Sequence, residues 1–202
     1  MRSSHSQTAL IAWLSTAFIA AAATNSPWRW SLDSSQVWQG EWWRLITGHF
    51  VHLSWQHYHY DLLALGLALA LCIAVDLRST TIARTALFSA AAVSAALLLI
   101  NPVDIYGGLS GITAGLLARG TLQMINKGGL LSGVILLLCL LLKILLEQQG
   151  ITVSGVAPVW QAHAAGAVAA ITLAACSRKH TKKTDSFSYS NLINTFNAST
   201  TR

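Results

Sequence analysis

The chain has 202 residues, enough for one domain and marginal for two. Hydrophobic residues make up 53% and charged residues only 10%, against about 25% charged in a soluble domain, which excludes a water-soluble globule and points to a polytopic membrane protein. The net charge of +6 does not mark a nucleic-acid binder, because the basic residues follow the pattern of membrane topology set out below.

Six apolar segments, roughly 8–24, 57–77, 84–100, 110–126, 129–147 and 157–176, read as transmembrane spans. Each lies near the range of about 17–25 residues needed to cross the hydrocarbon. In lipid, backbone groups must be satisfied within the segment, and the runs lack period-2 alternation, so helices are expected. The predicted fold class is an all-α bundle of six transmembrane helices covering 1–176, followed by a polar, disordered cytoplasmic tail over 177–202.

The first span follows a weakly basic "MRSSHSQ" and ends in "AAATN", features shared with a cleaved signal peptide. Its apolar run exceeds the usual signal core of about 7–15 residues, so the span is read as retained. The loop over 25–56 then holds Trp28, Trp30, Trp38, Trp42, Trp43 and Trp55, six of the eight tryptophans. Indoles favour the headgroup level, so this loop is expected to lie in the membrane interface.

The second span opens with His57 and carries Asp61 four residues on, hence on the same helical face. The fourth opens with Gly108-Leu109-Ser110-Gly111. Its 17 residues give a rise of about 25 Å, short of the hydrocarbon core of about 30 Å, which places Ser110 at a submerged helix N-terminus. Gly111 and Gly115 form a small-xxx-small pair suited to close helix packing. In the sixth span, "QAHAAGAVAA" holds His163, five residues past Pro158, about 7–8 Å down the helix. Ser110 and His163 therefore lie at matched depth. An imidazole there takes the serine proton and makes the hydroxyl a nucleophile. The first-turn amide of Ser110 offers a donor to an oxyanion, and His57 offers a second. The three cysteines, Cys72, Cys139 and Cys176, fall in or at the ends of apolar runs and read as small buried hydrophobes.

Lysine and arginine placement sets the orientation. With the N-terminus in the cytoplasm, Arg2, Arg78, Arg84, Arg119, Lys127, Arg178, Lys179, Lys182, Lys183 and Arg202 fall at the cytoplasmic side. Arg29, Arg44 and Lys143 remain. Both termini are thus expected in the cytoplasm, with Ser110 and His163 opening to the outer face.

At these residues the sequence resembles the rhomboid intramembrane serine proteases. The resemblance is carried by Gly108-x-Ser110-Gly111-xxx-Gly115, by Ala162-His163-xx-Gly166, by Trp43-Arg44-Leu45 with Thr47-Gly48, and by His52 with His57-xxx-Asp61. "WWRLITGHFVHLSW", "GLSG" and "LLLKILLEQQG" are similar to stretches of the rhombosortase subgroup. The resemblance implies a Ser110–His163 dyad with no required acid and no cofactor, and an oxyanion site formed by Ser110, His57 and Asp61. Its implied partner is a transmembrane protein with a C-terminal helix and a basic tail after a Gly-Gly-type motif, cleaved at the outer face of a bacterial inner membrane. Water or a lipid nucleophile then accepts the acyl group. The sequence departs from the family at Asp61, usually Asn, and at Ala114, often a ring packed on the histidine. An ionised Asp only accepts hydrogen bonds; a neutral Asp61, or one that keeps His57 cationic, leaves a donor.

Two other readings stand beside this one. His49, His52, His57, His59 and Asp61 cluster in sequence as an outer-face metal site would, although His49 and His52 precede the helix. A non-catalytic rhomboid-like binder of transmembrane clients is favoured by Asp61 alone.

Overall fold

The computed structural model describes residues 2–100, 103–151 and 157–177. The expected tail lies outside the described residues from 178 onward. The chain divides into two units, Met1–Ile171 and Thr172–Arg202. In the second, residues 172–177 are helical.

Helix α1, Arg2–Thr24, is followed by three short helices within the Trp-rich segment: α2 (Pro27–Trp30), α3 (Ser34–Trp38) and α4 (Arg44–Thr47). Sequence reading took this segment as loop. Helices this short are marginal alone and stand here on specific caps and ties. Pro27 occupies the first turn of α2, where its missing N–H costs nothing. The Asp33 carboxylate caps α3, accepting from the Ser35 and Gln36 amides at 2.9 and 3.2 Å. Arg44 is buried and donates to the carbonyls of Ser31 (2.7 Å) and Trp28 (3.1 Å) and to the Glu41 carboxylate (2.5 Å). The Thr47 hydroxyl donates to the Trp30 carbonyl at 2.7 Å.

Helix α5, Trp55–Ala74, starts at a Ser54 cap that accepts the His57 amide. It ends before Asp76, whose φ of 54° is left-handed, so the helix stops short of the expected 77. Helix α6, Ser79–Ala95, begins before the expected 84, because its first turn is polar and hydropathy marks only the apolar part. It closes in a π turn, Ala96–Ile100. Helices α7 (Ser110–Asn126) and α8 (Leu130–Gln148) follow, then α9 over residues 160–171.

Helix α7 is the centre of the bundle and packs against α5, α6 and α8. Its buried positions are mostly small: Gly111, Thr113, Ala114, Gly115, Ala118, Gly120 and Thr121. Small side chains allow backbones to approach, which is how helices associate where lipid removes the hydrophobic drive. The approach is closest at Gly166 of α9, where any Cβ would run into the Gly111 carbonyl. Helix α1 leans on α5 through Trp13 Nε1 to the Leu62 carbonyl and Tyr58 Oη to the Ala17 carbonyl, both 3.0 Å.

The outer surface is apolar. Phe18, Leu87, Ile100 and Leu131 are 78, 69, 82 and 75% exposed, far beyond scattered surface leucines and consistent only with a lipid-facing belt. Among the described residues four helices are long and apolar enough to cross a membrane: those containing Gln7–Thr24, Trp55–Ala74, Ser79–Ile100 and Leu130–Gln148. The protein is therefore an all-helical polytopic membrane protein. Cys72 is buried as expected, whereas Cys139 and Cys176 are exposed; apolar sequence context fixes depth in the membrane but not the side of the helix.

Candidate active site

A cavity of about 650 Å³ lies between α5, α7, α8 and α9, and Ser110, His163, His57 and Asp61 all line it. The four residues come from three helices and from positions up to 106 residues apart between His57 and His163. Ser110 is the first residue of α7. Its amide, like the others of the first turn, has no intrahelical acceptor, and the helix dipole favours negative charge there.

The turn that presents Ser110 is held from three sides. Gly108 has φ +144°, and a Cβ there would meet Asp61 Oδ2 at 2.9 Å and the His57 ring at 3.1 Å. Only glycine meets both the conformation and the approach. The Gly108 amide donates to the Gly48 carbonyl at 3.0 Å. Leu32 and Tyr106 exchange two backbone hydrogen bonds of 2.8 Å, and the Tyr106 hydroxyl donates to the Gly108 carbonyl at 3.0 Å. The Trp-rich segment is thus the scaffold of the serine turn.

Asp61 is the third support. Its Oδ2 accepts the Leu109 amide at 2.8 Å and lies 3.2 Å from His52 Nε2 and 3.5 Å from His57 Nε2. Sequence reading grouped Asp61 with His57 and His52 but did not find the Leu109 amide 48 residues on. These contacts need the chain to fold back. The role they display is that of an acceptor fixing the turn before Ser110. Asp61→Ala would leave the buried Leu109 amide unsatisfied and is expected to cost about 1–3 kcal/mol. Asp61→Asn keeps an acceptor oxygen, so thermal unfolding in lipid should return most of that loss. Equal loss in both variants would mean that the charge, not the acceptor, matters.

His49, His52 and His59 do not line the cavity. His49 Nε2 lies 2.9 Å from Ser94 Oγ, which itself donates to the Leu45 carbonyl at 2.7 Å. The serine hydroxyl thus ties the His49 ring to the Leu45 carbonyl. Burial pushes His49 down to about 4, so it is neutral at pH 7. His59 stacks near Trp55 and Tyr58. Among the described residues no three His, Cys, Asp or Glu side chains are grouped to hold a metal ion. His57 Nδ1 and Thr113 Oγ1, both from cavity-lining residues, are buried without a protein partner and are the polar groups that a water or substrate atom would satisfy.

His163 is buried on α9, and its Nδ1 is in hydrogen-bond contact with Glu147 Oε2 of α8. Glu147 was not singled out from sequence. The signal was present, since Lys143 and Glu147 are the only charged residues of an otherwise apolar α8 and stand four apart.

Comparison with known proteins gives the family. No curated protein and no solved structure matches the chain significantly. The family model for the Rhomboid domain matches residues 39–180, which takes in α5 to α9, the Trp43-Arg44 segment, Ser110 and His163. The match spans more than half of the chain, and the chain belongs to the rhomboid family, whose members are generally intramembrane serine peptidases.

Proposed function

We propose that the protein is an intramembrane serine endopeptidase in which Ser110 is the nucleophile and His163 the general base. The observation that carries this reading is that Ser110, His163, His57 and Asp61 line one cavity inside a lipid-facing bundle. The His163 imidazole takes the Ser110 proton as the oxygen attacks the scissile carbonyl. The oxyanion meets the Ser110 amide and His57, with Asp61 beside them. His163 then gives the proton to the leaving amine, and the acyl-enzyme passes to water or to a lipid amine.

Six spans follow in this reading when α7 and α9 join the four helices long and apolar enough to cross. The positive-inside bias puts both termini in the cytoplasm of a bacterial-type inner membrane, with the cavity opening outward. The rhombosortase-like stretches point to a client with a Gly-Gly-type motif, one transmembrane helix and a basic tail. Such a tail inserts with its basic end inward, which leaves the glycines at the level of Ser110. Glycine is a poor helix former, so the scissile carbonyl is exposed there.

Co-expression with a client of this kind, followed by mass spectrometry of its new C-terminus, tests the reading. A free carboxyl at the glycine motif is the product of hydrolysis, and an added head group that of transfer. A well-expressed client left intact removes the substrate assignment. The non-catalytic binder is favoured by Asp61 alone, and it predicts client retention that is unchanged by Ser110→Ala.

A further inference from the structure

Helix α8 consists almost wholly of Leu, Ile, Val and Gly, yet it carries Lys143 and Glu147. Ionisable groups within a span are costly and mark function by default. A simple i,i+4 helix pair accounts for their spacing but not for their direction. The Lys143 side chain is half exposed, but Glu147 turns inward to His163. The Glu147 side chain is 11% exposed and that of His163 8%. One carboxylate oxygen, Oε2, contacts His163 Nδ1. The other, Oε1, lies 2.5 Å from Lys143 Nζ, and the ammonium is itself 3.3 Å from the same ring nitrogen. Both carboxylate oxygens are therefore engaged, and the ring is held by one of its two nitrogens.

We propose that Glu147 is a positioning residue for His163 and that Lys143 holds Glu147 in place. The proposal rests on the Ser110–His163 reading and extends it. An ionised carboxylate only accepts, so contact with Glu147 fixes the proton on Nδ1. Nε2 is then the unprotonated nitrogen, the form in which the ring takes a proton from the Ser110 hydroxyl. When it does so, the imidazolium stands beside a carboxylate already paired and oriented. Position 114 of α7, which also lines the cavity, is Ala114 and carries no group that could bond the ring. Glu147 supplies from α8 the orientation that Ala114 does not supply from α7.

The test uses the full chain in liposomes and two readouts: the rate at which a fluorophosphonate labels Ser110, and kcat and KM for a tailed transmembrane client. An acid orienting a catalytic histidine is worth up to about 10⁴-fold. Glu147 is partly open to the cavity, so Glu147→Gln is expected to lower labelling and kcat together by about 10²-fold, with KM within about twofold. Glu147→Asp should recover about tenfold of that. In a His163→Ala background, Glu147→Gln should cause no further fall, because residues acting as one unit are non-additive. Should Glu147→Gln fail to insert, Lys143→Met frees the other carboxylate oxygen and is expected to slow labelling about tenfold. Parent-like labelling in the inserted variant, or an undiminished loss in the His163→Ala background, overturns the positioning role. Absence of Ser110 labelling in the parent defeats the serine reading itself, whereas parent labelling with no effect of Glu147→Gln defeats this inference alone.

Discussion

Ser110→Ala is expected to abolish client cleavage and fluorophosphonate labelling while the protein still inserts and melts like the parent. The side chain lost is small and sits at the first residue of α7, and none of the bonds that hold the turn pass through its hydroxyl. They run instead through Gly108, Tyr106 and the Leu109 amide. His163→Ala should be about as inactive, and the double variant little worse, because the two groups act as one unit. Undiminished cleavage by Ser110→Ala, or labelling that moves to another serine, would contradict the assignment.

Gly166→Val is expected to have the largest effect of any substitution outside the polar groups. The obstacle its Cβ would meet is backbone, the Gly111 carbonyl, and no rotamer change relieves a backbone clash. Helices α7 and α9 must separate, and they carry Ser110 and His163. Overpacking commonly costs about 1–3 kcal/mol, and this site belongs at or above the upper end. Thermal unfolding and labelling should fall together. A stable, inserted Gly166→Val protein with parent-like labelling would show that the helices need not touch there.

The class of fold was legible because lipid leaves few choices. Exclusion of charge over long stretches forces helices, and seventeen residues between Ser110 and Asn126 make a helix too short to start at the surface. That Ser110 and His163 could lie at one depth was legible because depth along a helix can be counted from its end, and both line the cavity. Contacts between helices were not. The Asp61–Leu109 bond joins residues 48 apart, and which face of α5 meets which turn depends on packing that no single segment specifies. The short helices α2 to α4 were hidden for a related reason. Their stability comes from Arg44 and Thr47 bonding to distant carbonyls, not from local periodicity. Glu147 lay in plain view as half of an isolated charge pair, and only its direction, toward α9, required the fold.

Helices α5 and α7 are fastened to each other near both ends. Near one end Asp61 of α5 takes the Leu109 amide. At the other, Asp76 just past α5 meets Lys127 just past α7 at 2.5 Å. Helix α8 packs on α7, and its described polar tie goes to α9 through Glu147 and His163. Very little of its span is buried, and the cavity separates its Leu142 and Leu146 from Tyr60 and Ala64 of α5. Since Glu147 rides on α8, any displacement of α8 from α9 also withdraws the carboxylate from His163, so the rigidity of the α8–α9 contact sets how firmly the imidazole is held.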